Sequence, residues 1–154
     1  MAGADEAAAK PGQPGSGYAF PALTGRVVDA AHLLPAETGA QLAARLAEVE
    51  RQSKHQFVVV TVPSLGGHDI VDYGVTLGRT WGIGRACFND GVLLIVAPSE
   101  RKLRIEVGNG LEKALRDEEA GEIIRKDILP QFKAGKFPEG ILAGSDAIIR
   151  EISS

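Results

Sequence analysis

Carboxylates, an amide and closely spaced glycines recur within one stretch of the chain, Trp81 to Leu111. Asp90 stands in Asn89-Asp90-Gly91, Glu106 lies between Ile105 and Val107, and Gly108-Asn109-Gly110 follows at once. Carboxylates held near one another are hard oxygen ligands suited to Ca²⁺ or Mg²⁺, and the carbonyls of glycine turns can complete the shell. Arg104 precedes Glu106 by two positions, so a strand would place both on one face, where a guanidinium can bind a phosphoryl oxygen bidentately. A Gly108-Asn109-Gly110 turn after a strand can cradle a phosphate with backbone N–H groups. Each residue also has a plainer use: Asp90 in a turn, Glu106 on a solvated strand face, Arg104 in a salt bridge, the glycines in turns.

Other chemistries find less support. The third-glycine position of a dinucleotide fingerprint is held by Lys113 after Gly108-Asn109-Gly110 and by Cys87 after Gly82-Ile83-Gly84. His32, His55 and His68 show no metal-ligand spacing, so surface positions suit them better than a zinc site. Gly-x-Ser-x-Gly, HExxH and Walker patterns do not occur. Cys87 fits a small buried hydrophobe, and Trp81 fits a core position.

The elements that must position these residues begin with Val92 to Ala97, a continuous apolar run bounded by Asn89-Asp90-Gly91 and Pro98-Ser99. It is too short for a helix and reads as a strand buried on both faces, at the sheet centre, with Leu94 among the most buried residues. Leu103, Ile105 and Val107 alternate with Lys102, Arg104 and Glu106, which predicts a strand with one solvated face. Only Pro98-Ser99-Glu100-Arg101 separates the two runs, so an antiparallel hairpin is expected. Such pairing brings Asn89-Asp90 beside Glu106 to Gly110 at one edge of the sheet.

Elsewhere, residues 1–19 are rich in Ala, Gly and Pro without apolar periodicity and read as a disordered, mobile tail or linker, ahead of one domain over residues 20–154. Val27-Val28 reads as an edge strand or an extended lead-in. Leu42, Leu46 and Val49 mark a helix over Ala36 to Ser53 with Pro35 at its start. Phe57 to Val62 reads as a strand parallel to Val92–Ala97, since a helix from about Asp69 to Thr80 supplies the crossover. Asp117 is placed to cap a helix that Pro130 should stop, and a last helix runs from about Pro138 to Ile152. The fold class is therefore α/β: a three-layer α/β/α sandwich whose central sheet is mostly parallel, with one antiparallel hairpin.

Trp81-Gly82-Ile83-Gly84, Asn89 to Val96, and Arg101 to Glu112 together resemble the TPM domain, a family that takes in thylakoid-lumen acid phosphatase, photosystem repair proteins and bacterial extracytoplasmic proteins. Leu23 to Asp29, followed by Leu33-Leu34-Pro35, resembles the family's opening motif. The resemblance spans about Phe20 to Ile152. It implies divalent-cation sites near these loops in some members, and it adds Asp29 to Asp90 and Glu106 as a candidate metal ligand.

Composition narrows the function further. Apolar residues make up 44% of the 154-residue chain and charged residues 24%, with a net charge of −3. These are ordinary values for one soluble domain, and no basic block offers a nucleic-acid surface. The single Cys87 excludes an internal disulfide. No signal peptide or membrane-length apolar run is visible; the extracytoplasmic location, with any membrane tether in segments outside this chain, is what the resemblance implies. The resemblance, taken with the acidic residues and the absence of a nucleophile–base pair, implies two functions from different classes. One is a periplasmic or otherwise extracytoplasmic, monomeric module that binds a divalent cation and a membrane-protein partner, assisting assembly or repair. The other is a low-activity metal-dependent phosphatase, with Asp29, Asp90 and Glu106 on the cation and Arg104 as the catalytic residue orienting phosphate.

Overall fold

The computed structural model describes residues 18, 20–83 and 90–153. The tail assigned to residues 1–19 therefore falls almost wholly outside the described residues, as do Cys87 and Asn89. Four strands, β1 (Val27–Asp29), β2 (Gln56–Thr61), β3 (Gly91–Ala97) and β4 (Lys102–Val107), form one sheet in the order β1-β2-β3-β4. β1, β2 and β3 are parallel, and β4 runs antiparallel to β3. The helices are α1 (Ala36–Ser53), α2 (Ile70–Trp81), α3 (Asp117–Ile123), α4 (Leu129–Lys133) and α5 (Phe137–Ile152).

Strand alternation divides the apolar residues into two cores. Val92, Leu94 and Val96 meet Leu42 and Leu46 of α1 and Ile141 and Ile148 of α5 on one face. Leu93 and Ile95 meet Tyr73 and Leu77 of α2 on the other. Every residue of β3 is buried, because both its faces are covered. The sandwich thus has the expected three layers. One feature of its winding departs from the usual rule. Both crossovers step the same way along the sheet, yet α1 and α2 lie on opposite faces. One of the two must therefore be left-handed, where right-handed crossovers are the norm. The three-residue β1 constrains its crossover least.

Two boundaries differ from the sequence reading. Arg116, not Asp117, is the N-cap of α3, and its backbone N–H donates to Glu119 Oε1 at 2.9 Å. Pro130 does not stop that helix. The chain widens into a π turn over Ile124–Ile128 and continues to Lys133. A proline ring needs room at the carbonyl four residues back, and a widened turn supplies it. α5 packs closely on this segment through Gly144, where a Cβ would stand 2.5 Å from Ile128 Cδ1.

Tyr73 anchors α2 against the sheet. It is 1% exposed, and its ring meets Phe20 edge-on at 5.0 Å. Its hydroxyl is buried without a hydrogen-bond partner among the described residues. Burial penalises the phenolate and the Glu100 carboxylate repels it, so the Tyr73 pKa is pushed up to about 12 from 10.0. The sign of the linkage follows. The unfolded chain gives up this proton first, so stability is undiminished below pH 10 and falls as pH rises towards about 12. The expected loss, on the order of 2–3 kcal/mol, should appear as the difference between urea melts of the wild type and Tyr73→Phe across that window. At neutral pH the same substitution should be neutral or stabilising, because it removes an orphaned hydroxyl.

Candidate functional site

The hairpin forms in the expected register. Val92 pairs with Val107 and Ala97 with Lys102, and Gly108 N donates to Gly91 O at 2.8 Å. Asp90 and the Glu106–Gly110 segment therefore share one end of the sheet. Glu106 lies opposite Leu93 and Arg104 opposite Ile95, so both side chains point towards α2. Arg104 Nε donates to Glu106 Oε1 at 2.8 Å. This face was expected to be solvated, but α2 half-covers it. Gly74 permits that approach: a Cβ there would stand 2.8 Å from Ile95 Cδ1 and 3.5 Å from Glu106 Oε1.

A cleft of about 510 Å³ opens between the C-terminal half of α2 and this end of the hairpin. Glu106, Gly108 and Asn109 line it, together with Val75, Arg79 and Leu93. Gly110 falls in the 3₁₀ turn Asn109–Leu111 and outside the cleft wall. Arg79 was not singled out from the sequence. It is exposed at the mouth and forms no ion pair among the described residues, so it is a cation available to a ligand. The only sequence signal was Gly74, a small residue on the apolar face of α2, where a Cβ would stand 2.8 Å from Ile95 Cδ1 and hold the helix off the sheet.

The remaining candidates go elsewhere. Asp90 is 3% exposed, and continued alternation from Val92 places it on the α1/α5 face. There its Oδ2 lies 3.7 Å from His55 Nδ1. Asp29 sits at the opposite end of the sheet, level with Thr61, which in turn pairs with Val96. Six residues of strand separate that level from Asp90, roughly 20 Å. Both Asp29 oxygens serve its own chain. Oδ1 accepts from Leu33 N at 2.9 Å and from Thr61 Oγ1 at 2.7 Å, and Oδ2 accepts from Leu34 N at 2.8 Å. The structure thus does not bring Asp29, Asp90 and Glu106 together. Among the described residues no three His, Cys, Asp or Glu side chains converge on a metal position.

What the cleft does hold is one carboxylate, one amide and the carbonyls of a glycine-flanked sheet end. These are hard oxygen donors of the kind that suit Ca²⁺ rather than zinc, although the Gly91 and Gly108 carbonyls already accept from Gly108 N at 2.8 Å and Leu111 N at 2.9 Å. The ion pair with Arg104 opposes cation binding at Glu106, which sets the expected affinity low. No helix among the described residues is long and apolar enough to cross a membrane.

Solved structures share this architecture. The N-terminal domain of a protein from P. gingivalis is 33% identical with a TM-score of 0.78, covering 84% of this chain and 82% of that one. The N-terminal domain of the cg2496 protein from Corynebacterium glutamicum, 16% identical, gives 0.65 and covers 85% and 83%. The BA42 protein of the psychrophilic bacterium Bizionia argentinensis, 20% identical, gives 0.67 and covers 78% and 81%. These last two likenesses bear on the fold alone. No curated protein matches the chain. The family model of the TPM domain matches residues 27–151, a span that takes in all four strands, both walls of the cleft and most of α5, and the chain belongs to the TPM domain family.

Proposed function

We propose that this TPM domain is an extracytoplasmic binding module that takes a divalent cation, Ca²⁺ before Mg²⁺, at the Glu106–Asn109 end of the cleft and engages a membrane-protein partner. The observation that carries the reading is the cleft itself, whose lining includes the oxygen-bearing Glu106, Gly108 and Asn109 and, among the described residues, no nucleophile–base pair. Ca²⁺ is favoured because an irregular oxygen shell suits it, whereas Mg²⁺ gives up water reluctantly. A single carboxylate already paired to Arg104 at 2.8 Å supports only weak binding. The expected Kd is about 0.1–1 mM, the range of extracellular calcium modules.

A calcium titration followed by amide NMR and thermal melts tests this. Shifts should centre on Gly91, Glu106 and Gly108–Gly110, and tenfold excess over Kd should add about 1.4 kcal/mol of stability. Glu106→Gln should abolish both effects. If 10 mM Ca²⁺ and Mg²⁺ (roughly tenfold above the expected range) leave spectra and melts unchanged, the domain has no such site. Hydrolysis is the competing outcome: a kcat/KM on phosphomonoesters above about 10⁴ M⁻¹s⁻¹ that collapses in Glu106→Gln would make the domain a phosphatase.

A further inference from the structure

A second groove lies diagonally across the sheet from the cleft, on the α1/α5 face at the tip of the hairpin. Its volume is about 550 Å³, and none of its lining residues lines the cleft. The walls are Leu103 of β4 with Phe132 and Phe137, whose rings pack at 4.9 Å and are only partly buried. Arg101, Lys102 and Lys133 line the same groove, all three exposed, and none forms an ion pair among the described residues. The nearest hairpin carboxylate is turned away from it: Glu100 Oε2 accepts from Leu65 N at 2.8 Å and from Ser64 Oγ at 3.2 Å, on the α2 side. An apolar floor is thus ringed by three unneutralised cations on a molecule of net charge −3.

We propose that this groove docks a short acidic peptide segment of a partner, one apolar side chain seated against Leu103, Phe132 and Phe137 and flanking carboxylates on Arg101, Lys102 and Lys133. Charge complementarity selects the occupant. Cations concentrated around one apolar pocket favour an anchor side chain with carboxylates on either side. The chain's overall negative charge disfavours an extended anionic surface such as a lipid bilayer or nucleic acid. A volume of about 550 Å³ also suits one or two side chains rather than a flat interface. The proposal is independent of the cation reading, since the two sites share no residue.

The test uses a fluorescein-labelled peptide with a central leucine–phenylalanine pair and three aspartates on each side. Fluorescence anisotropy should give a Kd of about 10–100 µM, weakening several-fold as salt rises. The double variant Arg101→Glu/Lys133→Glu, whose fold is checked by an unchanged melting temperature, should bind at least about tenfold more weakly. Amide shifts should map to residues 96–103 and 129–137 and leave Glu106–Gly110 unmoved. Absence of binding at millimolar protein overturns the proposal, as does equal affinity of the double variant or shifts confined to the cleft. Phosphatidylglycerol vesicles are the other arm: if they bind and the peptide does not, the groove is a lipid site.

Discussion

Leu94→Asp is expected to leave the chain unfolded under conditions where the wild type is native. Leu94 is 0% exposed, pairs with Val59 on one side and Ile105 on the other, and contributes to the core beneath α1 and α5. A carboxylate there loses its hydration and meets only apolar neighbours, a penalty of about 5 kcal/mol or more. That is comparable with the whole stability of an ordinary domain, about 5–15 kcal/mol. Circular dichroism and a urea melt read the result. A cooperative transition near the wild-type midpoint would mean that β3 is not the central strand.

Asp29→Ala should cost about 3 kcal/mol, lowering the melting temperature by roughly 10 °C in a domain of this size. The side chain accepts three hydrogen bonds from Leu33 N, Leu34 N and Thr61 Oγ1, tying the end of β1 to the approach to α1 and to β2. Removing it strands two backbone donors and the buried Thr61 hydroxyl proton, since the bond that Thr61 Oγ1 keeps from Ala31 N at 3.0 Å uses it only as an acceptor. Asp29→Asn, which retains one acceptor, should lose about half as much. The informative measurement is calcium binding in the folded variant. Because Asp29 lies at the far end of the sheet from Glu106, its loss should destabilise the domain and leave the cation affinity unchanged. An Asp29→Ala protein that is fully stable but has lost calcium binding would reverse the roles assigned to the two ends.

The sequence by itself determined β3, β4 and their hairpin. The six-residue apolar run Val92–Ala97 needs both faces covered, period-two alternation needs one face inward, and a four-residue link leaves only antiparallel pairing. Those local rules also placed Asp90 and Glu106–Gly110 at one end, because hairpin register depends on residues close in the chain. α1, α2 and α5 were legible for the same reason, from apolar stripes at helical spacing. Only the tertiary structure decided the rest. Asp29 and Asp90 part company because β1 and β3 run parallel, so a residue at the end of one strand lies a full strand length from a residue at the start of the other. Asp90 and Glu106 also part company, across the thickness of the sheet, but that was already implicit in the local hairpin register, which sets them on opposite faces. Arg79 enters the cleft only because Gly74 lets α2 settle onto Ile95, and the basic groove exists only because the π turn carries Phe132 and Lys133 past Pro130. Each depends on how elements far apart in the chain pack against one another, and no residue type or local spacing carries that information.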